Sequence, residues 1–479
     1  MRIAFQRTLD VRAIENKGTN EMSKMMKAVL MRGMNVLHLT LMGIAVVLTW
    51  FRAYTVEVGP QDMRTVGIAV SACYLAVTFF FYRTYDAYKI GLYRAGETFY
   101  AQTLANLFGD GITYFFACLI RLRLFNVMPM LQCFIAQTLI SAVWVLVDNQ
   151  LYFKLHAPMK TLVIYRRDED LQKIYEIAYL ENRFNILCEK KSTENVFELL
   201  PQLSEYQAVI VSGVDATMRN GIIKECIEKD VECYFVPHVG DVIIAGAKHV
   251  QSFSVPIMEA RRAMPKPEYA AAKRLMDVLF SLCAFVVASP FMAVTVLAIK
   301  AYDHGPALYK QVRLTKDGRQ FEILKFRSMR VDAEKDGVAR LASDHDDRIT
   351  PVGKIIRAIR FDELPQLLNI LKGDMSIVGP RPERPEIAAQ YEKEMPAFSL
   401  RLQVKAGLTG TAQVYGRYNT EPRDKLKMDL MYINRMSLRE DLKLIFATVK
   451  ILFMKDSTAG VQKGQVTAAK SKDEQEKSA

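Results

Sequence analysis

The chain has 479 residues, of which 51% are hydrophobic and 24% are charged, and its formal net charge is +12 at pH 7. This mixture is typical of a chain that is part membrane and part soluble, and the length leaves room for about two to four domains. The seven cysteines include no CxxC pair and no zinc-ligand spacing, so we predict neither a disulfide framework nor a metal–thiolate site. The positive charge indicates contact with anionic lipid head groups or phosphorylated substrates, although a bias toward basic cytoplasmic loops accounts for part of it.

A basic segment, residues 1–33, is predicted to be cytoplasmic and precedes a region, 34–150, with four long apolar stretches. These stretches are 34–51, 66–82, 97–120 and 124–148. The first two are near the minimum of about 17–20 residues that crosses the hydrocarbon core, and the four stretches together predict a transmembrane four-helix bundle. Basic residues before the first stretch and between the second and third place both ends of the bundle in the cytoplasm. Asp110, inside the third stretch, is either a functional acid or a packed interior group.

Residues 158–262 alternate short β-rich runs with charged helical stretches, a pattern typical of a Rossmann-like parallel α/β domain. The first run ends in YRRDED, residues 165–170, without any glycine. A diphosphate cannot approach a backbone crowded by these side chains as it approaches a glycine-rich turn. We therefore interpret this domain as a structural or regulatory module rather than a dinucleotide site.

A fifth apolar run, residues 279–299, contains no charge but has basic residues on both flanks. A spanning helix would place these flanks on opposite sides of the membrane, against the positive-inside rule. Pro290 removes a backbone donor from the run, and Ser289 can bond the carbonyls that this frees. We infer a re-entrant helix over about 275–299 that turns back at Ser289–Pro290, while a proline-kinked span is left open by the residues alone.

Two alternating runs, ALYKQVRL and FEILKFRSM, flank a turn that contains Asp317–Gly318. This combination predicts a β-hairpin. Lys325 and Arg327 fall on one face of the second strand, which is either a solvated face or part of a binding site.

An acidic pair, Asp362 and Glu363, stands in RFDELPQLLN, residues 360–369. Because proline is tolerated in the first turn of a helix, Pro365 is compatible with a helix that starts near Asp362 and ends at Gly373. The pair is then either an ordinary set of acids at a helix start or a pair of reacting groups.

Basic residues surround the acidic pair in the sequence. Lys354, Arg357 and Arg360 recur at every third position, so a helix would gather them into a basic row, and Arg381 stands between two prolines. Cations this close favour ionised acids and bind phosphate oxygens. A carboxylate can attack phosphorus, and a divalent ion would be needed to draw an anionic nucleophile onto an anionic phosphate.

Five motifs occur in order within residues 267–460: KRLMDVLFSLCAFVVASPF, KFRSM, FDELPQLLNILKGDMSIVGPRPE, GLTGTAQVYGR and MDLMYI. Together they resemble the bacterial sugar transferase family of monotopic polyprenyl-phosphate phosphoglycosyl transferases. The four N-terminal spans and the α/β domain look like the layout of its large subfamily. The resemblance implies a membrane protein of the α+β class with a C-terminal catalytic domain, 267–460, whose membrane helix is re-entrant.

The resemblance also implies an activity. The family transfers a sugar-1-phosphate from a UDP-sugar to undecaprenyl phosphate and releases UMP, as the first membrane step of exopolysaccharide, capsule or O-antigen synthesis. Asp362 matches the nucleophile, which forms a covalent phosphosugar ester and binds Mg²⁺, and Glu363 matches the second member of the dyad. The positions that match substrate-binding residues are Lys325, Arg327, Arg357, Arg381, Gln413 and Arg417. From the residues alone, Gln413 and Arg417 are equally a surface pair four residues apart.

The implied partners are a UDP-sugar, undecaprenyl phosphate and membrane lipid, with no nucleic acid. A homodimer and contacts with other polysaccharide-assembly proteins stay open. The implied location is the bacterial inner membrane, which the chain crosses several times, with the catalytic domain on the cytoplasmic face. A competing hypothesis is a non-catalytic membrane scaffold that binds nucleotide-sugar or lipid, but an acid among phosphate-binding cations favours catalysis. The polar tail, 461–479, is predicted to be disordered.

Overall fold

The computed structural model describes residues 2–54, 63–91, 93–177, 180–192, 203–250, 255–330, 348–416 and 420–452. The chain divides into two compact units, Met1–Val236 and Pro237–Ala479. Two predictions, the disordered tail at 461–479 and the substrate-binding role of Arg417, fall outside the described residues.

Four long helices open the first unit. They are α1 (Arg2–Ala53), α2 (Met63–Thr84), α3 (Ala95–Arg121) and α4 (Met128–Leu155). Helices α1 and α3 each pack against both α2 and α4. Apolar and aromatic side chains fill the interior, where Trp50, Tyr54 and Phe125 form one buried cluster. Each helix is long and apolar enough to cross a membrane, and the chain contains a fifth such helix in the second unit.

Polar side chains also lie in the interior of these four helices. Asp110 on α3 is buried, and its Oδ1 accepts a hydrogen bond of 3.2 Å from Gln137 Nε2 on α4. The same amide donates to the Tyr74 hydroxyl of α2 at 3.1 Å. One turn away, the Tyr82 hydroxyl donates to Asn106 Oδ1 at 2.7 Å. Because such bonds join neighbouring helices through buried groups, Asp110 takes part in helix packing.

The predicted parallel sheet is present, with the strand order β2-β1-β3-β4. Its strands are β1 (Met159–Tyr165), β2 (Phe184–Lys191), β3 (Ala208–Ser212) and β4 (Glu232–Phe235), and its helices are α5 (Asp168–Tyr175), α6 (Leu180–Arg183) and α7 (Ala216–Glu228). The central strands β1 and β3 contribute a continuous apolar core that contains Leu162, Ile164, Val209 and Val211.

The carboxyl ends of β1 and β3 lie where the strand order reverses, the place at which open α/β sheets bind ligands. Asp170, in the first turn of α5, fills this place, and its carboxylate accepts a hydrogen bond of 3.2 Å from the Arg167 amide. A Cβ added to Gly213, which follows β3, would collide with the same carboxylate. A negative charge therefore stands where a nucleotide phosphate would need a bare glycine backbone.

The second unit begins with α8 (Val239–Ala245) and continues through β5 (Lys248–Val250), β6 (Ile257–Glu259), α9 (Pro267–Asp303), β7 (Leu308–Leu314) and β8 (Gln320–Phe326). It then forms α10 (Pro351–Ala358), α11 (Gln366–Lys372), β9 (Ser376–Val378), α12 (Pro385–Glu394), β10 (Gly407–Thr409), α13 (Thr411–Tyr415), α14 (Pro422–Asn434) and α15 (Leu438–Leu452). Its main core is apolar and joins α11, β9, α14 and α15 through Ile370, Val378, Leu430 and Leu444.

The predicted hairpin is confirmed. Strands β7 and β8 pair antiparallel, with Leu314 opposite Gln320. Asp317 and Gly318 both have positive φ angles, 61° and 75°, in the connecting turn. An acidic residue and a glycine tolerate these angles better than most side chains do, which explains why this dipeptide marks the turn.

Helix α9 has 37 residues and carries Pro290 in its interior. Because Pro290 has no N–H, the carbonyl of Val286 loses its helical donor. The Ser289 hydroxyl donates to that carbonyl at 2.8 Å, as the sequence predicts. The helix continues through both residues, so Ser289–Pro290 does not interrupt it, and the turn back at this point stays a prediction.

The N-terminal part of α9 is bonded to the core of the second unit. The Arg274 guanidinium donates to the carbonyls of Ile370 and Leu371 at 2.7 Å each, and these carbonyls lie at the C-terminal end of α11. Asp277 Oδ1 accepts a hydrogen bond of 3.1 Å from the Ile377 amide on β9. Arg274 thus donates to two carbonyls at the end of α11, one of which, that of Ile370, also accepts from the Gly373 amide at 3.0 Å. These bonds tie α9 to the helix that follows the acidic pair.

The C-terminal part of α9 packs against the same unit, where Ile299 is buried with Phe326 and Ile356. Between these attachments the helix exposes a wide apolar face. Its large exposed side chains are Leu279, Phe280, Leu282, Val286, Val287, Phe291, Val294 and Leu297. An exposed apolar face of this extent indicates contact with lipid or with another protein surface.

Candidate active site

The chain turns sharply just before the acidic pair. Lys354 and Arg357 lie on α10, whose N-terminus is capped by the Thr350 hydroxyl. The helix ends at Ala358, and Arg360 has a φ of 54°, in the left-handed region. The prediction that one helix carries Lys354, Arg357 and Arg360 in a row is therefore wrong for Arg360. A left-handed residue costs about 1–2 kcal/mol, and here it redirects the backbone into the acidic turn.

Asp362 and Glu363 lie in a 3₁₀ turn, Phe361–Glu363, and not in the first turn of an α-helix. Pro365 explains the difference, because it has no N–H to donate back to the Phe361 carbonyl. The Leu364 amide donates to that carbonyl instead, at 3.2 Å, which closes the tighter turn. The α-helix starts only at Gln366, and its predicted end at Gly373, with φ 96°, is confirmed.

Glu363 is held by two cations. Its Oε1 atom accepts hydrogen bonds from Lys325 Nζ at 2.9 Å and from Arg381 Nη2 at 2.7 Å. The Glu363 side chain is 12% exposed, whereas Arg381 is 42% exposed. Burial alone would raise the pKa of Glu363, but Arg381 and Lys325 outweigh it and hold the pKa well below its usual range. Glu363 is therefore ionised, and it neutralises part of the positive charge around it.

Asp362 stands beside this cluster without a hydrogen bond or ion pair to any residue in the described ranges. Burial raises the pKa of Asp362 and the neighbouring Glu363 charge raises it further, while Lys325, Arg357 and Arg381 lower it, and the net direction is upward. The site therefore contains two adjacent carboxylates in different states. Glu363 is bonded to two cations through one oxygen, whereas Asp362 has no bonded partner among the described residues and lies within the field of three cations.

Five of the predicted site residues come together here, since Lys325 and Arg381 bond to Glu363 and Arg357 acts on Asp362 through its charge. Arg327 is placed differently. Its side chain is 8% exposed and forms an ion pair with Asp303 at the end of α9. Among the described residues, Arg327 joins the hairpin to α9 through this ion pair. A contact between Arg327 and the substrate stays a prediction.

Gln413 lies on the short helix α13 and stays a predicted substrate-binding residue. Both amide atoms of its side chain are buried and have no hydrogen-bond partner within the described part of the chain. An added Cβ on Gly410 would lie 2.8 Å from Gln413 Oε1, so the side chain packs onto the backbone near Gly379 and Gly410.

The sequence did not predict that two buried charges, Arg401 and Asp429, pair next to Arg381. Arg401 Nη2 donates to the carbonyl of Arg381 at 2.8 Å and lies 2.8 Å from Asp429 Oδ2. The signal for Asp429 was its position on α14, inside a buried stretch that contains Leu426, Leu430 and Ile433. An acid on the core face of a helix requires a partner, but the sequence does not indicate which cation supplies it.

The donor set fits a magnesium ion that is shared with a phosphorylated substrate. Asp362 has no bonded partner, and Glu363 uses only Oε1 for its cations, in the part of the chain that the structure describes. No group of three or more His, Cys, Asp or Glu side chains with metal-ligand geometry exists among the described residues. Mg²⁺ is commonly held by one or two carboxylates, substrate phosphates and water rather than by a complete protein cage.

Comparison with known proteins identifies the family of the second unit. Residues 268–455 match the model of the bacterial sugar transferase family. A "UDP-glucose:undecaprenyl-phosphate glucose-1-phosphate transferase" of Caulobacter vibrioides is 40% identical over 211 residues, which cover 43% of this chain and 79% of that protein.

Two further relatives extend the comparison. A "UDP-N-acetylgalactosamine-undecaprenyl-phosphate N-acetylgalactosaminephosphotransferase" of Aeromonas hydrophila is 42% identical over 192 residues, or 40% of this chain and 45% of that protein. A "UDP-glucose:undecaprenyl-phosphate glucose-1-phosphate transferase" of Xanthomonas campestris pv. campestris is 36% identical over 293 residues, or 59% of this chain and 60% of that protein. The match to the Aeromonas protein spans less than half of that protein, and the residues that match the family model, 268–455, include the whole candidate site described above.

Proposed function

The chain belongs to the bacterial sugar transferase family, and on this basis we propose that it transfers a sugar-1-phosphate from a UDP-sugar to undecaprenyl phosphate with release of UMP. The observation that carries the proposal is the Asp362 carboxylate, which has no partner among the described residues and stands within the field of Lys325, Arg357 and Arg381. In a bacterium this transfer would start the synthesis of an exopolysaccharide, a capsule or an O-antigen at the inner membrane.

The reaction takes two displacements at one phosphorus atom. An oxygen of Asp362 attacks the phosphorus that carries the sugar, a P–O bond forms, and the bond to the bridging oxygen breaks so that UMP leaves with the electron pair. An oxygen of undecaprenyl phosphate then attacks the same phosphorus. The acyl–phosphate bond breaks, undecaprenyl-diphospho-sugar forms, and the Asp362 carboxylate is restored.

The neighbouring side chains have separate tasks in this scheme. Arg357 and Arg381 offset the negative charge of the diphosphate, and a charge-assisted bond from arginine to phosphate is stronger than a neutral one. Glu363 binds Lys325 and Arg381 through one oxygen, which keeps these cations from closing onto Asp362. The nucleophile thereby stays unpaired while cations remain close enough to bind phosphate oxygens.

We also propose that Asp362, together with the substrate phosphates, holds Mg²⁺. The ion would neutralise charge on the diphosphate as the carboxylate approaches. Removal of divalent ions with EDTA is expected to lower UMP release at least about a hundredfold, and added Mg²⁺ is expected to restore it. The release of radiolabelled UMP from purified protein in detergent measures this effect. Unchanged release after EDTA and exhaustive dialysis would remove Mg²⁺ from the scheme.

The proposed membrane arrangement is a spanning bundle formed by α1 to α4 and a re-entrant α9. The re-entrant path of α9 is supported by contacts near both of its ends. Arg274 and Ile299 lie 25 positions apart in the sequence, yet both contact the remainder of the second unit. A helix that crossed a core of about 30 Å would carry these two residues to opposite sides of the membrane. The exposed apolar face between them would lie in one leaflet, so that lipid phosphate and Asp362 meet at the same surface.

Cysteine labelling in intact cells tests this path. Lys266→Cys and Ala301→Cys, both exposed positions at the ends of α9, are expected to resist a membrane-impermeant maleimide and to react after the cells are opened. Arg52→Cys, at the end of α1 that is predicted to face the periplasm, is the control and is expected to react in intact cells. All three changes require a background in which the native cysteines are replaced by alanine. Labelling of only one end of α9 in intact cells would mean that α9 spans the membrane.

A panel of UDP-sugars, assayed for UMP release with undecaprenyl phosphate, tests the function itself and identifies the sugar. The names of the relatives specify different sugars, glucose and N-acetylgalactosamine, although the sequence identities are similar. Sequence identity alone therefore does not predict which sugar this chain transfers. Turnover with any member of the panel supports the proposal. Binding of a UDP-sugar without UMP release under all conditions would favour the non-catalytic scaffold.

A further inference from the structure

The segment Pro380–Glu383 carries Arg381 into the site, and each of its four backbone carbonyls has a specific donor. The Pro380 carbonyl accepts a hydrogen bond from the Gly407 amide at 2.9 Å, and the Arg381 carbonyl accepts one from Arg401 Nη2 at 2.8 Å. The Pro382 carbonyl accepts from Arg313 Nη1 at 3.1 Å, and the Glu383 carbonyl accepts from the Leu314 amide at 2.9 Å. None of these bonds belongs to a helix or to a strand ladder. The path of the segment is therefore set by tertiary contacts and by its two prolines, which restrict φ.

The donor to the Arg381 carbonyl is itself held on several sides. Arg401 is 5% exposed, its Nη2 lies 2.8 Å from Asp429 Oδ2, and its Nη1 lies 3.9 Å from Glu383 Oε1. Its guanidinium carbon lies 4.9 Å from the centre of the Phe398 ring. Asp429 is 1% exposed, so the pair is almost completely removed from water.

A buried ion pair of this kind is not explained by stability alone. Burial raises the pKa of Asp429 to about 6, even though Arg401 acts in the opposite direction. Removing two charges from water offsets much of their attraction, and apolar residues of similar volume are often as stabilising. What the pair supplies that apolar residues cannot is a donor with a fixed direction toward the Arg381 carbonyl.

We propose that Asp429 and Arg401 are positioning residues that fix the backbone of Arg381 and thereby hold its guanidinium on Glu363. The connection runs through three contacts, from Asp429 to Arg401, from Arg401 to the Arg381 carbonyl, and from Arg381 Nη2 to Glu363 Oε1 at 2.7 Å. This inference rests on the proposed function, since it assigns Asp429 and Arg401 a part in the same transfer.

The consequence for the reaction is geometric. Arg381 is 42% exposed and reaches Glu363 with a long, flexible side chain, so the direction of its backbone decides where the guanidinium ends. Loss of the bond at its carbonyl frees the peptide plane between Arg381 and Pro382 to rotate. A displacement of about 1 Å in a positioning group can lower a rate about a hundredfold.

Asp429→Asn is the first test. Its kcat/KM for the UDP-sugar is expected to fall about ten- to hundredfold. Asp424→Asn is the matched control, because Asp424 lies on the same helix and pairs with Lys427 at 2.8 Å but contacts neither Arg401 nor Arg381 among its described partners. The control is expected to stay within about twofold of wild type.

A double-mutant cycle separates positioning from general packing. In an Arg381→Ala background, Asp429→Asn is expected to cause no more than about a twofold further loss, because the group through which Asp429 acts is gone. If the loss in this background equals the loss in the wild-type background, Asp429 does not act through Arg381 and the proposal is overturned. Should Asp429→Asn fail to fold, Arg401→Lys enters the same cycle, since it keeps the positive charge but lacks the Nη2 group that makes both contacts.

The assay also separates this inference from the function on which it rests. Wild-type protein that releases UMP, together with Asp429→Asn protein of unchanged kcat/KM, overturns the positioning role and leaves the transferase function standing. Wild-type protein that releases no UMP with any UDP-sugar overturns both.

Discussion

Asp362→Asn is expected to lower UMP release from the UDP-sugar by a factor on the order of 10³ or more, because an amide cannot form the acyl–phosphate bond. The substitution keeps the size of the side chain and removes only the nucleophilic oxygen charge. Asp362 makes no hydrogen bond or ion pair within the described ranges, so no structural bond is lost with it. A radiochemical assay for UMP with purified protein measures the effect.

The same substitution is expected to raise the thermal stability of the protein, which distinguishes lost chemistry from lost folding. The pKa of Asp362 is raised in the folded protein, chiefly by burial and then by Glu363. A carboxyl group whose pKa is raised in the folded protein opposes folding at any pH above its pKa in the unfolded chain. The folded protein must then keep a charge that its surroundings disfavour. The neutral amide removes this opposition at pH 7. A lower unfolding temperature for Asp362→Asn would contradict this reasoning.

Asp317→Asn provides the matched control for the rate. Asp317 is an exposed acid in the hairpin turn with a φ of 61°, which asparagine also tolerates. Its activity is expected to equal that of wild type. Mass spectrometry after incubation with UDP-sugar alone is expected to find a phosphosugar adduct on the peptide of Asp362 in the wild type and in Asp317→Asn. Full turnover by Asp362→Asn, or an adduct on another residue, would reject Asp362 as the nucleophile.

The features that the sequence predicted well depend on neighbours in the chain. The turn at Asp317–Gly318, the helix end at Gly373 and the bond from Ser289 to the carbonyl freed by Pro290 all arise within a few residues. Glycine, proline and hydroxyl side chains impose these local geometries almost regardless of the remainder of the fold.

The features that the sequence missed depend on contacts across the fold. Arg360 continues a regular basic spacing, yet the backbone adopts a left-handed conformation there and leaves the helix. Arg327 was grouped with Lys325 by strand alternation, but the end of α9 supplies Asp303 as a partner and buries it. Arg401 and Asp429 meet only after the chain has folded. Spacing predicts which residues share a face, but it does not predict which distant charge a buried side chain pairs with.

A role for Glu363 in keeping cations away from Asp362 predicts two linked effects of Glu363→Gln on activity. With the negative charge gone, its upward contribution to the pKa of Asp362 disappears, so the acid limb of kcat/KM against pH is expected to move to lower pH. The plateau is expected to fall on the order of a hundredfold, since Lys325 and Arg381 lose their carboxylate partner and close onto Asp362. A pH–rate profile of both proteins checks the two effects together.

Stability provides an independent check on Glu363 with its own pH dependence. The pKa of Glu363 is held well below its usual range, so its ion pairs stabilise the fold above the unfolded pKa of about 4.3 and are lost as the pH falls through the folded value. Glu363→Gln is therefore expected to destabilise the protein by about 1.5–3 kcal/mol at pH 7, with a difference from wild type that shrinks in acid.

Glu322→Gln is the control for both measurements, because Glu322 pairs with Lys310 at the surface and is 60% exposed, a setting in which an ion pair contributes little. An acid limb that stays in place in Glu363→Gln, with an unchanged plateau, would mean that Glu363 does not set the charge of Asp362. A fall of the plateau without a shift of the limb would limit Glu363 to holding Lys325 and Arg381. The position of the limb therefore decides whether the two carboxylates act as one electrostatic unit or as neighbours with separate tasks.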